Sequence, residues 1–131
     1  MWTTVKSWAL VASSALLMAG CGGGSDTPTP HGAIAFDAAV PSAYIATNFI
    51  SQEKANAGAV TRCGGGGCAV VLEFAGHGSC GALATGGGTT IVWGAASGAT
   101  QAEAEAGAVA ACSGKGGVNC QIPSTIPGKC Q

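Results

Sequence analysis

Large side chains and charge are both scarce in this chain of 131 residues. Charged residues make up 8% of it and aromatic residues 5%, and there are two histidines. Five basic and six acidic residues leave a formal net charge of -1. That balance argues against nucleic acid as a partner, because a protein that competes for a phosphate backbone carries a basic excess. Leu, Ile, Val and Phe together are 23 of the 131 residues, under the roughly 20% line associated with disorder. Disorder also requires high net charge, which is missing here. At about 150 residues per domain the length fits one domain and excludes a large modular enzyme. Ala and Gly fill the space instead. The 23 glycines are more than twice the average share of about 7%, and they imply tight turns and close backbone packing.

The first twenty residues carry one positive charge, Lys6, followed by the uncharged run Trp8 to Ala19. Twelve residues make the apolar region of a signal peptide, about half of the roughly 20 that a membrane-spanning helix needs. Leu16-Leu17-Met18-Ala19-Gly20-Cys21 resembles the bacterial lipobox, in which small residues let a signal peptidase cut before a lipid-modified cysteine. Met18 stands where Leu, Val or Ile is usual, a side chain of similar volume. The resemblance implies cleavage of 1–20 and lipidation of Cys21. Gly22 to Pro30 is turn-rich and without apolar periodicity, which reads as a flexible tether over 21–31. Fully extended, residues 22–31 reach roughly 33 Å. A membrane attachment through lipidated Cys21 needs no transmembrane helix. Gly22 rather than Asp after the cysteine favours, by the sorting habit of such lipoproteins, the outer membrane.

Removing Cys21 from seven cysteines leaves Cys63, Cys68, Cys80, Cys112, Cys120 and Cys130. An even number in a small exported domain reads as three disulfides. The chain also repeats itself. Gly32-Ala33-Ile34-Ala35 recurs as Gly81-Ala82-Leu83-Ala84, and Ser51 to Cys63 recurs as Thr100 to Cys112 with seven of thirteen positions identical, both at an offset of 49. The expectation is an α+β domain, 32–131, built from two tandem β-β-α-β repeats, 32–80 and 81–130, packed into one globule. With three cysteines per copy, either one bridge crosses between copies or one thiol stays free. The preferred set among fifteen connectivities is Cys63 with Cys68, Cys112 with Cys120, and Cys80 with Cys130.

Within each copy the pattern is the same. Ile34 and Phe36 alternate with Ala35 and Asp37 as a half-buried strand, with Leu83 and Thr85 at the matching positions. Second strands are expected over 43–49 and 89–93. Ser51 and Thr100 cap helices over 52–62 and 101–111, with Thr100 and Glu103 as a capping box. The helices bury only Ala55, Ala59 and Val60, or Ala104, Ala108 and Val109. Gly58 and Gly107 sit mid-helix, where a sheet or the other helix must approach closely. A strand from Cys68 to Phe74 places Val70, Leu72 and Phe74 on one face, and Pro123 makes its counterpart after Cys120 an edge or irregular strand.

Gly-Ala-Ile-Ala, a helix ending in Ala-Val-x-x-Cys, Gly-x-Cys-x-Val-Val, Cys-Gly-Ala-Leu-Ala, and Trp93-Gly94 ahead of Ala-Glu-Ala-Glu-Ala together resemble the bacterial domain-of-unknown-function family numbered 4189. The likeness covers about 32–130. It implies a small exported domain with paired cysteines and carries no catalytic residues.

Several constellations are candidates for chemistry. Cys63, Cys68, His77 and Cys80 are zinc-ligand types in a C-x4-C-x8-H-x2-C spacing, but an oxidising compartment favours disulfides. His77 and Ser79 could form a nucleophile pair, although the Gly that opens a nucleophile elbow is missing. Asp37 and Glu73 could pair as acid and base, though such residues more often lie on a solvated face. Gly64 to Gly67 and Ser113 to Gly116 match no phosphate loop and read as turns. Tyr44, Phe49 and Trp93 are expected in the core, with an exposed binding patch as the alternative. The function expected is a non-enzymatic, membrane-tethered binding or inhibitory module of the cell envelope, without metal or cofactor. The alternatives are a structural or stress-related envelope component and, behind it, a hydrolase or metal-binding protein.

Overall fold

The computed structural model describes residues 27–131. The leader 1–20, Cys21 and tether residues 22–26 lie outside the described residues. Nine elements follow: β1 (His31–Asp37), β2 (Ser42–Phe49), α1 (Gln52–Cys63), β3 (Ala69–Ala75), β4 (Cys80–Gly87), β5 (Val92–Gly98), α2 (Gln101–Gly114), β6 (Val118–Gln121) and β7 (Lys129–Cys130). The fold is α+β. Its strands form two antiparallel sheets, ordered β2-β1-β3 and β5-β4-β6, with β7 also paired to β4. His31, expected in the tether, is the first residue of β1 and sits opposite both Phe49 and Ala75.

Side-chain size decides the layering. On β1, Ala33 and Ala35 face α1 and pack against Ala55, Ala59 and Cys63, while Ile34 and Phe36 face the other way. On β4, Ala82 and Ala84 face α2, against Ala104, Ala108 and Cys112. The larger groups meet between the sheets, where Ile34, Phe36, Ile45 and Phe74 pack with Leu83, Trp93 and Ile126. The order is therefore helix, sheet, sheet, helix. This corrects the half-buried reading of the first strand, since β1 is covered on both faces: alanines allow a helix to lie close on one side, and the branched and aromatic residues fill the other.

The helices begin where their caps stand. Ser51 Oγ accepts the N–H of Lys54 at 3.3 Å, and Thr100 Oγ1 that of Glu103 at 3.1 Å. Glu103 in turn accepts from the N–H of Ala99 at 3.0 Å, one residue before the cap. α2 runs three residues past its expected end because the N–H of Lys115 still reaches Ala111 and Cys112 carbonyls. The mid-helix glycines serve their own sheets rather than the contact between halves. A Cβ on Gly58 would strike the Phe49 ring at 2.7 Å, and one on Gly107 the Cβ of Ala96 at 2.9 Å.

Two strands depart from expectation. β5 lies at 92–98 rather than 89–93, through Gly94-Ala95-Ala96-Ser97-Gly98, residues that seldom signal a strand. Tertiary packing overrides propensity there: a Cβ on Gly94 would run into the backbone of α2 at Cys112 N and, at 2.6 Å, Ala108 O. In β3 the pairing with β1 skips Val71, since Ile34 opposes Leu72 and Ala35 opposes Val70. This bulge turns Val70 toward α1 and leaves Leu72 and Phe74 facing the second sheet, so the three do not share a face. β6 ends before Pro123.

Three disulfides join Cys63 to Cys68, Cys80 to Cys130 and Cys112 to Cys120. Such bonds mark an oxidising, exported environment. Cys80, the last residue of the first repeat by sequence, opens β4 of the second sheet and pairs directly with Cys130 of β7. The bond that crosses the repeat boundary of the sequence therefore lies inside one sheet, and with β4–β7 as the second half it does not tie the halves together. Noncovalent contacts do that. Gln131 donates from Nε2 to the carbonyls of Pro30 and Phe74, its Oε1 accepts the N–H of Asn48, and its N–H binds the Ser79 carbonyl. Among the described residues no helix is long and apolar enough to cross a membrane.

Candidate functional site

The Gln131 bonds fix the orientation of the halves, because they bring the start of β1 and the start of β4 to one end. Pro30, which leads into β1, lies at that end. At the opposite end β1 delivers Phe36, the hairpin turn delivers Pro41, and β4 delivers Thr85 and Gly86. A cleft opens between them. Its inner recess, about 140 Å³, is walled by Phe36, Pro41, Ala43, Leu83 and Ile126, with Thr85 and Thr125 contributing hydroxyl-bearing side chains. An outer bowl of about 420 Å³ shares Pro41 and Thr85 and adds Ile91, Val118, Asn119 and Gln121. No lining residue of either part is charged. Val40 and Val118, 62% and 60% exposed, stand near its entrance at the hairpin turn and on β6.

The recess is roofed by residues 122–128, which have neither strand nor helix over their length. A turn closes it, with the Ile126 N–H on the Pro123 carbonyl at 3.0 Å. Ile126 packs into the core between the sheets and Ile122 against the α2 core. The Gly128 N–H is held by Glu105 Oε1 of α2 at 2.9 Å. Gln101 donates to the same oxygen at 2.9 Å. These two bonds, Gln101 first and Gly128 second, hold the Glu105 carboxyl below the ordinary carboxylate range. Cys120 and Cys130, both disulfide-bonded, bracket the segment. The roof is thus pinned at its two ends and in its middle.

The constellations suggested by the sequence fall elsewhere. Cys63 and Cys68 are bonded to each other while Cys80 is bonded to Cys130, so the zinc-type set is divided between two disulfides. His77 is exposed on the turn closed by Ser79 N–H on the Gly76 carbonyl, beside a shallow depression of about 350 Å³ at the tether end. Asp37 is 6% exposed and accepts the N–H groups of Ala39 at 2.9 Å and Gly67 at 3.1 Å, which makes it an anchor for the Cys63 to Cys68 loop. Glu73 opposes Ala33 and accepts from Asn56 Nδ2 at 2.7 Å. Asp37 lies four positions further along β1, about 13 Å away at strand spacing, too far for a carboxylate pair.

Tyr44, Phe49 and Trp93 are half-buried. Phe49 covers Gly58. Trp93 meets the edge of Phe36, ring centroids 5.8 Å apart, and carries Lys115 Nζ 3.8 Å above its ring. Tyr44 lies between Arg62 and Lys129, at 5.6 and 5.1 Å, and accepts from Arg62 at 3.0 Å. Tyr44 and Trp93 thus join the core packing and also serve as cation platforms.

A family model described as Domain of unknown function (DUF4189) matches residues 31–126. The chain belongs to this family. The matched span starts at the first residue of β1 and ends at Ile126 in the roof, so it takes in every lining residue of the cleft. No match was found among curated proteins or solved structures.

Sequence reasoning did not find Pro41, Thr85, Asn119 or Ile126. One signal was present. At the offset of 49, Thr85 stands where the first half has Phe36, and a smaller side chain at a position facing the other sheet leaves space.

Proposed function

We propose that this DUF4189 member is an exported lipoprotein, cleaved after Gly20 and lipidated on Cys21, whose folded domain is a non-enzymatic binding or inhibitory module tethered to the outer membrane. The observation that carries this reading is the placement of an uncharged, disulfide-braced cleft at the end of the domain opposite His31, where the tether joins. From His31 to Phe36 β1 spans about 17 Å at strand spacing, so the cleft lies at the end of the domain remote from the point of attachment. A preformed cleft favours binding because little ordering entropy is lost when it fills.

Metabolic labelling with a palmitate analogue tests the anchor. The wild-type chain takes up label and fractionates with the outer membrane, and Cys21→Ala loses both. Unlabelled soluble wild-type protein in the periplasm would refute the anchor. Capture from detergent-solubilised envelope tests the module: a stoichiometric partner fits a binding role, whereas bulk envelope proteins alone favour the structural alternative.

A further inference from the structure

We propose that the inner recess is a binding site for a small, neutral, amphipathic molecule that seats an apolar end the size of one ring or a short alkyl chain between Phe36, Leu83 and Ile126 and keeps a hydroxyl or carbonyl at Thr85. The proposal deepens the binding-module reading and rests on it. It comes from an asymmetry between the halves. Positions facing the other sheet alternate along each central strand, giving Ile34 and Phe36 on β1, Leu83 and Thr85 on β4. Phe36 fills its share of the space and packs edge-on to Trp93; Thr85 does not, and the recess of about 140 Å³ is lined by both Phe36 and Thr85. An apolar cavity of roughly 150 Å³ is large enough for a benzene-sized ligand.

Charge sets the ligand class. The nearest buried acid in sequence, Asp37, is turned to the Cys63 to Cys68 loop, where both its oxygens are bonded. A carboxylate or ammonium entering the recess would lose its water with no counter-charge in the lining, a loss large enough to exclude it. A neutral polar group loses less and finds Thr85 where recess and bowl meet. The outer bowl, about 420 Å³, accommodates whatever the ligand carries beyond its apolar end.

The test uses the full mature chain with Cys21→Ser, exported behind a cleavable secretory leader so that its disulfides form. Benzyl alcohol, benzoate and benzylammonium are titrated in two-dimensional NMR. Benzyl alcohol is expected to shift signals of Ala43, Leu83 and Ile126 saturably, and the two charged analogues to bind at least about tenfold more weakly. Thr85→Leu, which fills the recess, is expected to abolish these shifts and to raise Tm, the usual result of filling a cavity that function keeps open. Should Thr85→Leu fail to fold, Thr85→Val keeps the shape, removes the hydroxyl and is expected to weaken benzyl alcohol severalfold. Shifts confined to other surfaces, equal binding of benzoate, or wild-type binding by Thr85→Leu overturn the proposal. If titration fails while the capture experiment still returns a stoichiometric partner, the recess proposal falls and the binding-module reading stands; if both fail, both fall.

Discussion

Glu105 Oε1 on α2 holds the backbone N–H of Gly128 at 2.9 Å, across 23 residues of sequence. This is the contact through which a helix fixes the roof of the cleft. The carboxyl is held below its ordinary range because both its donors favour the charged form. A group whose folded pKa is lowered contributes in full above the unfolded value, about 4.3 for Glu, and its contribution is lost as pH falls through the lower folded value. Amide exchange at Gly128 should therefore stay protected from neutral pH down to that value and accelerate below it. In Glu105→Gln the exchange should lose this acid dependence beyond the intrinsic chemistry of the amide. An unchanged acid profile in that variant would mean that another group holds the roof.

Asp37 should be worth more than its position at a strand end suggests. Its two oxygens satisfy the N–H groups of Ala39 and Gly67 in a buried site. Asp37→Ala leaves both donors unpaired and is expected to cost about 1–3 kcal/mol in urea unfolding. Asp37→Asn keeps one acceptor and should cost less. Equal losses would show that charge, and not the count of acceptors, sets the site.

Much of the fold was legible because the chemistry that builds it is local. The caps at Ser51 and Thr100, the alanines at four-residue spacing on both helices, and the Ile34 and Phe36 alternation each declare an element within a few residues. What escaped depends on partners far away in the chain. β5 is extended because α2 lies on Gly94, and nothing in Gly-Ala-Ala-Ser-Gly announces it. The bulge at Val71 reverses the faces of β3, and no pattern of apolar residues marks where a pairing will skip. The cleft was hidden for the same reason. Phe36, Leu83 and Ile126 are separated by more than forty residues at each step, and a roof without regular structure gives no periodic signal.

Gly94 and Gly114 should respond in opposite directions to the same substitution. A Cβ on Gly94 meets backbone atoms of α2 that cannot swing away, so Gly94→Ala is expected to cost about 3 kcal/mol or more. Gly114, the last residue of α2, has nothing within 4 Å of the place a methyl group would take and no positive φ. Gly114→Ala should stabilise by about 0.5–1 kcal/mol through helix propensity. Thermal melts of the two variants decide this, and similar destabilisation in both would remove the case for close contact between β5 and α2.

The disulfides should differ in weight according to the loops they close. Their sequence separations are 5 for Cys63 and Cys68, 8 for Cys112 and Cys120, and 50 for Cys80 and Cys130. Chain-entropy arithmetic makes the longest loop worth about 4 kcal/mol and the two short ones about 2 to 2.5 kcal/mol each. Paired Cys→Ala variants should follow that order in urea unfolding. The connectivity has a second consequence that a gel can read. Every disulfide closes on one side of the turn 76–79, so a single cut there leaves pieces joined by packing between the sheets, by the bonds of Gln131 and by Lys129 over the Tyr44 ring. The cut protein should run as one species on a native gel, held by Ile34, Phe36, Phe74 and Leu83. In denaturant without reductant it should separate into two pieces. Two pieces that stay together until a reductant is added would require a bridge between the halves and a different pairing of Cys80.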